Sequence, residues 1–174
     1  MMLKMFSTQL TGLFNRINEK EAFSIEDGAR LLAQATVGEG TIYIKGVKEM
    51  QAVTALAFEG PEPLAGSKIL DQQDELLETD RALIITRFSN DPEAILLAKK
   101  LVEQGTPFVA ISGKVQTDEE DLSSLADVHI HSGVLKGLIP GEDFERVGFA
   151  SSMAATYIYY GLKFTIDEIL ADYR

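Results

Sequence analysis

The stretch Arg81–Lys114, RALIITRFSNDPEAILLAKKLVEQGTPFVAISGK, constrains the fold more than any other part of the chain. Ala82–Thr86 is a short apolar run after a turn-prone Thr79-Asp80, the pattern of a strand buried on both faces. Asp91 suits a helix N-cap because its carboxylate accepts backbone N–H bonds. Pro92 suits the first helical position because its missing N–H has no intrahelical partner there. Ala94, Leu97, Ala98, Leu101 and Val102 then recur at helical spacing. Gly105 supplies the stop, Pro107 forbids continuation, and Phe108–Ser112 is a second β run. Two buried strands joined by a helical crossover are parallel, with a right-handed connection. The expectation is an α/β protein whose functional face is the carboxyl edge of its strands, where Arg87, Ser89, Ser112 and Lys114 fall.

The flanking segments extend this pattern. Leu3, Phe6, Leu10, Leu13, Phe14 and Ile17 mark an amphipathic helix whose stripe serves either the core or a subunit contact. Ser24-Ile25-Glu26-Asp27 resembles a capping start for a second helix lined by Ile25, Ala29, Leu32 and Thr36 and stopped by Gly38 and Gly40. These N-terminal helices, residues 1–37, lead into a strand at Thr41–Lys45 and, past Gly46, a helix from Glu49 to Phe58. Ser67–Leu70 is a candidate short strand. Asp71–Asp80 reads either as a helical turn anchored by Leu76 and Leu77 or as a solvated acidic face. Beyond Lys114, Thr117 or Asp118 is expected to cap a short helix, Ala126–His131 to form a strand, and Leu135–Gly148 to form a surface loop. Phe149–Leu162 suits a packed helix, and Thr165-Ile166-Asp167-Glu168 reads as a capping box opening a last short one. With no repeat or linker, residues 1–174 read as a single domain.

Composition removes several classes of function. There is no cysteine, so disulfides and thiolate metal sites are excluded, which fits a reducing compartment. A formal charge of -11 argues against binding the nucleic-acid backbone. The N-terminus lacks the unbroken apolar core of a signal peptide, and no stretch reaches membrane-spanning length. The expected setting is the cytoplasm, without membrane or nucleic-acid partners.

Candidate chemistry collects at the strand ends. Lys45-Gly46, Thr86-Arg87-Phe88-Ser89-Asn90 and Ser112-Gly113-Lys114 share one edge of a parallel sheet, so cations and hydroxyls converge there. A pocket for a phosphorylated or carboxylated small molecule is one reading; solvated loop tips are the other. Asp91 opposes an anion, since a capping carboxylate occupies the helix N–H groups, although Arg87 offsets it. His129 and His131 share one strand face but lack a third ligand, so no metal is expected. His131, near the end of its strand, is a candidate general base. Gly46 stands alone, without the G-x-G-x-x-G fingerprint, and neither a Walker loop nor a serine elbow occurs. No cofactor is expected.

Two leading helices, TIYIKG, ALIITRFSNDPEAILLAKKLVEQGTPFVAISG, LADVHIH and an apolar terminal helix together resemble the sugar isomerase (SIS) domain, most closely phosphoheptose isomerase. The chain is also similar to a small bacterial family of unknown function thought to share that fold. The resemblance implies a three-layer sandwich with a central parallel sheet of flavodoxin- or Rossmann-like topology. It also implies a small phosphorylated sugar as ligand and a homo-oligomer with sites near subunit contacts. The family's phosphate loop, S-T-S-G-N-S-P, falls on Thr86, Arg87, Phe88, Ser89, Asn90, Asp91 and Pro92; Thr86 keeps a hydroxyl, and Asn90 and Pro92 match. Of its first-strand loop, G-N-G-G-S, only Gly46 is kept. The family's catalytic glutamate has Glu59 one place off, and SSMAATYIYYGLKF contains no counterpart of its histidine. The resemblance thus implies a phosphosugar-binding or sensing protein without the standard catalytic pair. The expected ligand-binding residues are Lys45, Gly46, Thr86, Arg87, Ser89, Asn90, Ser112 and Lys114. One alternative is an active isomerase of the sedoheptulose 7-phosphate type, with Glu59 and His131 as a relocated pair. Another is a ligand-free structural or regulatory domain.

Overall fold

The crossover read from Arg81–Lys114 is the centre of the structure, a computed structural model that describes residues 1–174. Strand β3 (Arg81–Phe88) leads through helix α4 (Pro92–Gln104) to β4 (Phe108–Gly113). Asp91 Oδ1 accepts the Ala94 N–H at 3.1 Å, and Gly105 closes the helix at φ 70°. The two strands are parallel, with Ala82 opposite Phe108 and Ile85 opposite Ile111.

Strand β1 (Ile42–Gly46) pairs with the other side of β3, β2 (Ser67–Ile69) lies outside β1, and β5 (Val128–His131) lies beside β4. All four pairings are parallel, giving the order β2-β1-β3-β4-β5. This is the doubly wound order of flavodoxin-like sheets, in which the chain reverses its winding direction between β1 and β3.

Strand residues alternate between the two faces, and each face carries its own core. Ile42, Ile44, Leu83, Ile85, Val109, Ile111 and Ile130 are buried with residues of α1 (Met2–Lys20), α2 (Ala22–Val37), α3 (Gln51–Glu59) and α6 (Ser151–Ala171). Ala82, Ile84, Phe108 and Ala110 are buried under α4 and α5 (Leu122–Leu125). The result is the three-layer α/β sandwich expected. No helix is long and apolar enough to cross a membrane.

The structure corrects several local expectations. Helix α2 starts at Ala22, so Ser24 lies inside it: Ile25 N–H already bonds to Glu21 O at 2.8 Å. Helix α5 is capped by Asp121 rather than Thr117 or Asp118, with Asp121 Oδ1 accepting the Ser123 N–H and Ser124 Oγ accepting the Asp121 N–H. Helix α6 runs unbroken through Thr165, whose hydroxyl bonds back to Gly161 O at 2.9 Å. Burial of Ile158, Leu162 and Ile166 along one stripe outweighs the capping signal. Residues 71–80 form turns, and the Asp80 carboxylate ties them to β1 by accepting the Thr41 and Leu77 N–H groups. Residues 135–148 contain a small hairpin, β6 (Ile139–Pro140) against β7 (Arg146–Val147).

Candidate functional site

The reversal between β1 and β3 leaves a crevice. The chain leaves β1 toward one edge of the sheet and β3 toward the other, so the two following loops diverge, and sheets of this order bind ligands at that point. The crevice has a volume of about 330 Å³ and is lined by Val47, Lys48, Glu49, Thr86, Arg87, Phe88, Asn90, Asp91 and Pro92.

Local chemistry shapes both walls. A Cβ on Gly46 would lie 2.1 Å from Met50 O, so only glycine lets the chain turn this tightly at the end of β1. Gly46 N–H donates to Thr54 Oγ1 at 2.9 Å, and Lys48 opens a 3-10 turn with φ 53°, a left-handed conformation uncommon outside glycine. This turn brings Lys48 and Glu49 over the crevice. On the opposite wall, α4 starts from its Asp91 cap.

Two ion pairs span the gap. Arg87 donates to Glu49 through two nitrogens, Nε to Oε1 at 2.6 Å and NH2 to Oε2 at 2.9 Å. Lys48 Nζ meets Asp91 Oδ2 at 3.1 Å, while the other Asp91 oxygen holds the cap. The guanidinium hydrogen bonds hold the Glu49 carboxyl below its usual range against the opposing effect of burial, and Glu49 in turn raises Arg87. Arg87 also lies 5.9 Å over the Phe149 ring, which packs edge-on against Phe88. An anion entering here finds two cations, each already held by a carboxylate.

Of the expected site residues, Thr86, Arg87 and Asn90 line this crevice. Lys45 and Gly46 line an adjoining cavity of about 230 Å³ with Thr54 and Glu59. Ser89 is fully buried; its Oγ accepts the Val115 N–H and its carbonyl accepts the Leu122 N–H, so it ties its loop to the segment after β4 and to the start of α5. Ser112, also fully buried, lies 2.7 Å from His129 Nε2. Burial, with the neighbouring His131 and Lys114 charges, brings His129 down to about 4, so the imidazole is neutral near pH 7. Lys114 is exposed, and its backbone N–H donates to His131 Nδ1 at 2.9 Å. His131 itself borders a cavity against α1, with Leu13, Arg16 and Ile17. Strand β5 is three neighbours from β1, roughly 14 Å across the sheet, so the structure does not bring Glu59 and His131 together within one chain.

Lys48 and Glu49 line the crevice but are not among the ligand-binding residues expected from the sequence. Their signal is present in the pairing of KGVKE at the end of β1 with RFSND at the end of β3, since each segment carries a cation and an acid. No group of three or more His, Asp or Glu side chains is arranged to hold a metal ion.

Known proteins share this architecture. The structure of the Vibrio vulnificus NanR protein complexed with ManNAc-6P superimposes with a TM-score of 0.72 at 15% identity, over 99% of this chain and 64% of that one. The chain thus spans under two thirds of that protein's length. The sugar isomerase domain of the RpiR transcription factor from Sphaerobacter thermophilus matches with a TM-score of 0.60 at 11% identity, over 99% and 90% of the two chains. A proposed phosphosugar isomerase involved in capsule formation from Bacteroides fragilis gives a TM-score of 0.68 at 18% identity, over 98% and 92%. At these identities the likeness establishes the fold. In sequence, the uncharacterized protein YwjG of Bacillus subtilis (strain 168) is 43% identical over 173 residues, 99% of each chain. With residues 2–170 also matching the family model of a domain of unknown function, DUF2529, the chain belongs to the DUF2529 family, here built on the sugar-isomerase fold.

Proposed function

We propose that this protein is a single SIS-like domain that binds or senses a small phosphorylated sugar in the β1–β3 crevice, and that it lacks the acid–base pair of phosphoheptose isomerases. The carrying observation is the bidentate Arg87–Glu49 pair at the reversal of the sheet. A guanidinium that presents two parallel N–H groups to a carboxylate presents them equally well to a phosphate. Glu49 therefore stands where the ligand's anionic group would sit, with Lys48 close by and Thr86 and Asn90 as polar lining. Sugar-phosphate recognition by proteins of this fold, as in NanR with ManNAc-6P, supports the reading. A cytoplasmic homo-oligomer, needing neither cofactor nor nucleic acid, completes it; the exposed apolar residues of α1 and α6 support self-association.

Thermal shift with a panel of sugar phosphates tests the proposal: N-acetylmannosamine 6-phosphate and the phosphates of sedoheptulose, glucosamine, fructose and muramic acid. Inorganic phosphate and the unphosphorylated sugars serve as controls. A ligand at about 100 times its Kd adds about 2.7 kcal/mol, a rise in Tm of roughly 5–10 °C for a chain of this size. A flat response across the panel would favour the ligand-free interaction domain. The cavity shared by Lys45 and Glu59 keeps the isomerase alternative in view. Turnover of sedoheptulose 7-phosphate, abolished by Glu59→Gln or His131→Ala, would replace the sensing proposal with it.

A further inference from the structure

The β6–β7 hairpin carries a feature that the crevice does not use. Gly141 N–H bonds to Glu145 O at 2.8 Å and Glu145 N–H to Glu142 O at 3.1 Å, closing a turn whose central residues are Asp143 and Phe144. Both have left-handed backbone, at φ 52° and 63°, the geometry of a type I′ turn that normally selects Asn-Gly. A phenylalanine there is sterically disfavoured, and its ring is fully exposed, with relative accessibility of 107%. The tip thus presents an aromatic ring among three carboxylates, Glu142, Asp143 and Glu145.

At the base of the same hairpin, between it and α1, lies a cavity of about 560 Å³. Met5, Leu138 and Ile139 give it apolar walls, and Lys4 and Arg146 give it positive charge. Lys4 makes no ion pair within the chain. Arg146 is held by two neutral acceptors, the carbonyls of Gly137 and Leu138, each at 2.7 Å, so its charge is not offset by a carboxylate. In a chain of formal charge -11, an apolar cavity edged by cations is complementary to an aromatic ring flanked by acids.

We propose that Phe144 of one chain inserts into this cavity on a second copy of the same chain, with the hairpins exchanged about a two-fold axis. Tip and cavity lie on one patch, formed by the hairpin and the start of α1, and are complementary in charge and polarity, which is the requirement for an isologous contact, where the same patch serves both partners. Methionine adapts readily to an inserted aromatic ring. The proposal deepens the oligomeric part of the functional reading and does not depend on a ligand.

Light scattering with sedimentation over a concentration series tests it on the full chain. The wild type is expected to be a dimer. Phe144→Gly suits the left-handed turn, so the hairpin persists while the ring is lost, and an anchor at the centre of an interface should weaken dimerisation by about 30-fold. Lys4→Glu and Glu142→Lys should each weaken it, and the double variant should recover affinity because the reversed charges still match. A monomer at every concentration would remove both this contact and the oligomeric reading. A dimer indifferent to Phe144→Gly would overturn the contact alone, and a double variant weaker than either single one would overturn the charge match. Ligand titration of the same variants reports separately on the crevice.

Discussion

Replacing Glu49 with glutamine should tighten anion binding, whereas removing most polar side chains from a binding site weakens it. On the proposed binding mode, a phosphate entering the wild-type crevice must first displace Glu49 from Arg87, whose contacts are 2.6 and 2.9 Å. The pair is partly solvated, with side-chain exposures of 44% for Arg87 and 35% for Glu49, so it contributes at the upper end of the surface range, ~1 kcal/mol. The displaced carboxylate then remains near a doubly charged ligand, and residual repulsion across solvent adds up to ~1 kcal/mol after screening. Glu49→Gln removes the charge, keeps the side-chain volume and leaves an amide that holds Arg87 weakly. Affinity should therefore rise by about 1–2 kcal/mol, or roughly 5–30-fold in Kd. Titration calorimetry with the sugar phosphate giving the largest thermal shift measures this, with Arg87→Ala as the opposite arm, expected to weaken binding at least tenfold. The same substitution should lower Tm by no more than ~2–4 °C, because the lost pair is only partly buried. Unchanged or weaker binding in Glu49→Gln, with Arg87→Ala also neutral, would mean that the ion pair is a structural clamp and that the anion binds elsewhere.

Stability should fall as pH drops from about 6.5 to about 4. The folded state holds His129 neutral down to about 4 against an ordinary value of 6.5, so between these limits the unfolded chain binds more protons and unfolding is favoured. The full effect is ~3 kcal/mol, complete below pH 4, and His129→Gln should flatten this part of a stability-versus-pH curve measured by urea denaturation. Gly46→Ala places a Cβ 2.1 Å from Met50 O, so the 3-10 turn must shift. It should lose the thermal response to sugar phosphates while circular dichroism still reports a folded chain. Asp121→Ala removes the cap of α5 and its bonds to Ser123, and should lower stability in urea by about 1–2 kcal/mol with no change in ligand affinity. Leu97→Ala, in the core under α4, should cost about 2–5 kcal/mol by the same measurement.

The crossover was legible because each of its boundaries rests on one residue's local chemistry: the Asp91 cap, the Pro92 start and the Gly105 stop. Such signals fail where burial outweighs them. Thr165 through Glu168 has the pattern of a capping box, yet the apolar stripe of α6 continues past it and the helix with it. Side-chain parity also held information about the expected site. Ser112 shares its strand face with Phe108 and Ala110, both buried, so a hydroxyl there is directed into the α4–α5 layer rather than toward a ligand.

Glu49 was hidden for a different reason. Its partner Arg87 is 38 positions away, and their meeting depends on how two loops diverge at the reversal of the sheet, which no local pattern encodes. Once the strand order is known, the departures of Thr86–Pro92 from the SIS phosphate-loop pattern become intelligible together. The SIS pattern leaves hydroxyls and free helix amides to receive phosphate, whereas here Asp91 occupies the amide end of α4 and Lys48 meets its other oxygen. Arg87 places a guanidinium where that pattern has a hydroxyl, and Glu49 neutralises it. On the proposed binding mode, a crevice bridged by two ion pairs discriminates by charge density. In that mode a single carboxylate gains little over Glu49, whereas a phosphate dianion can engage Arg87 and Lys48 at once.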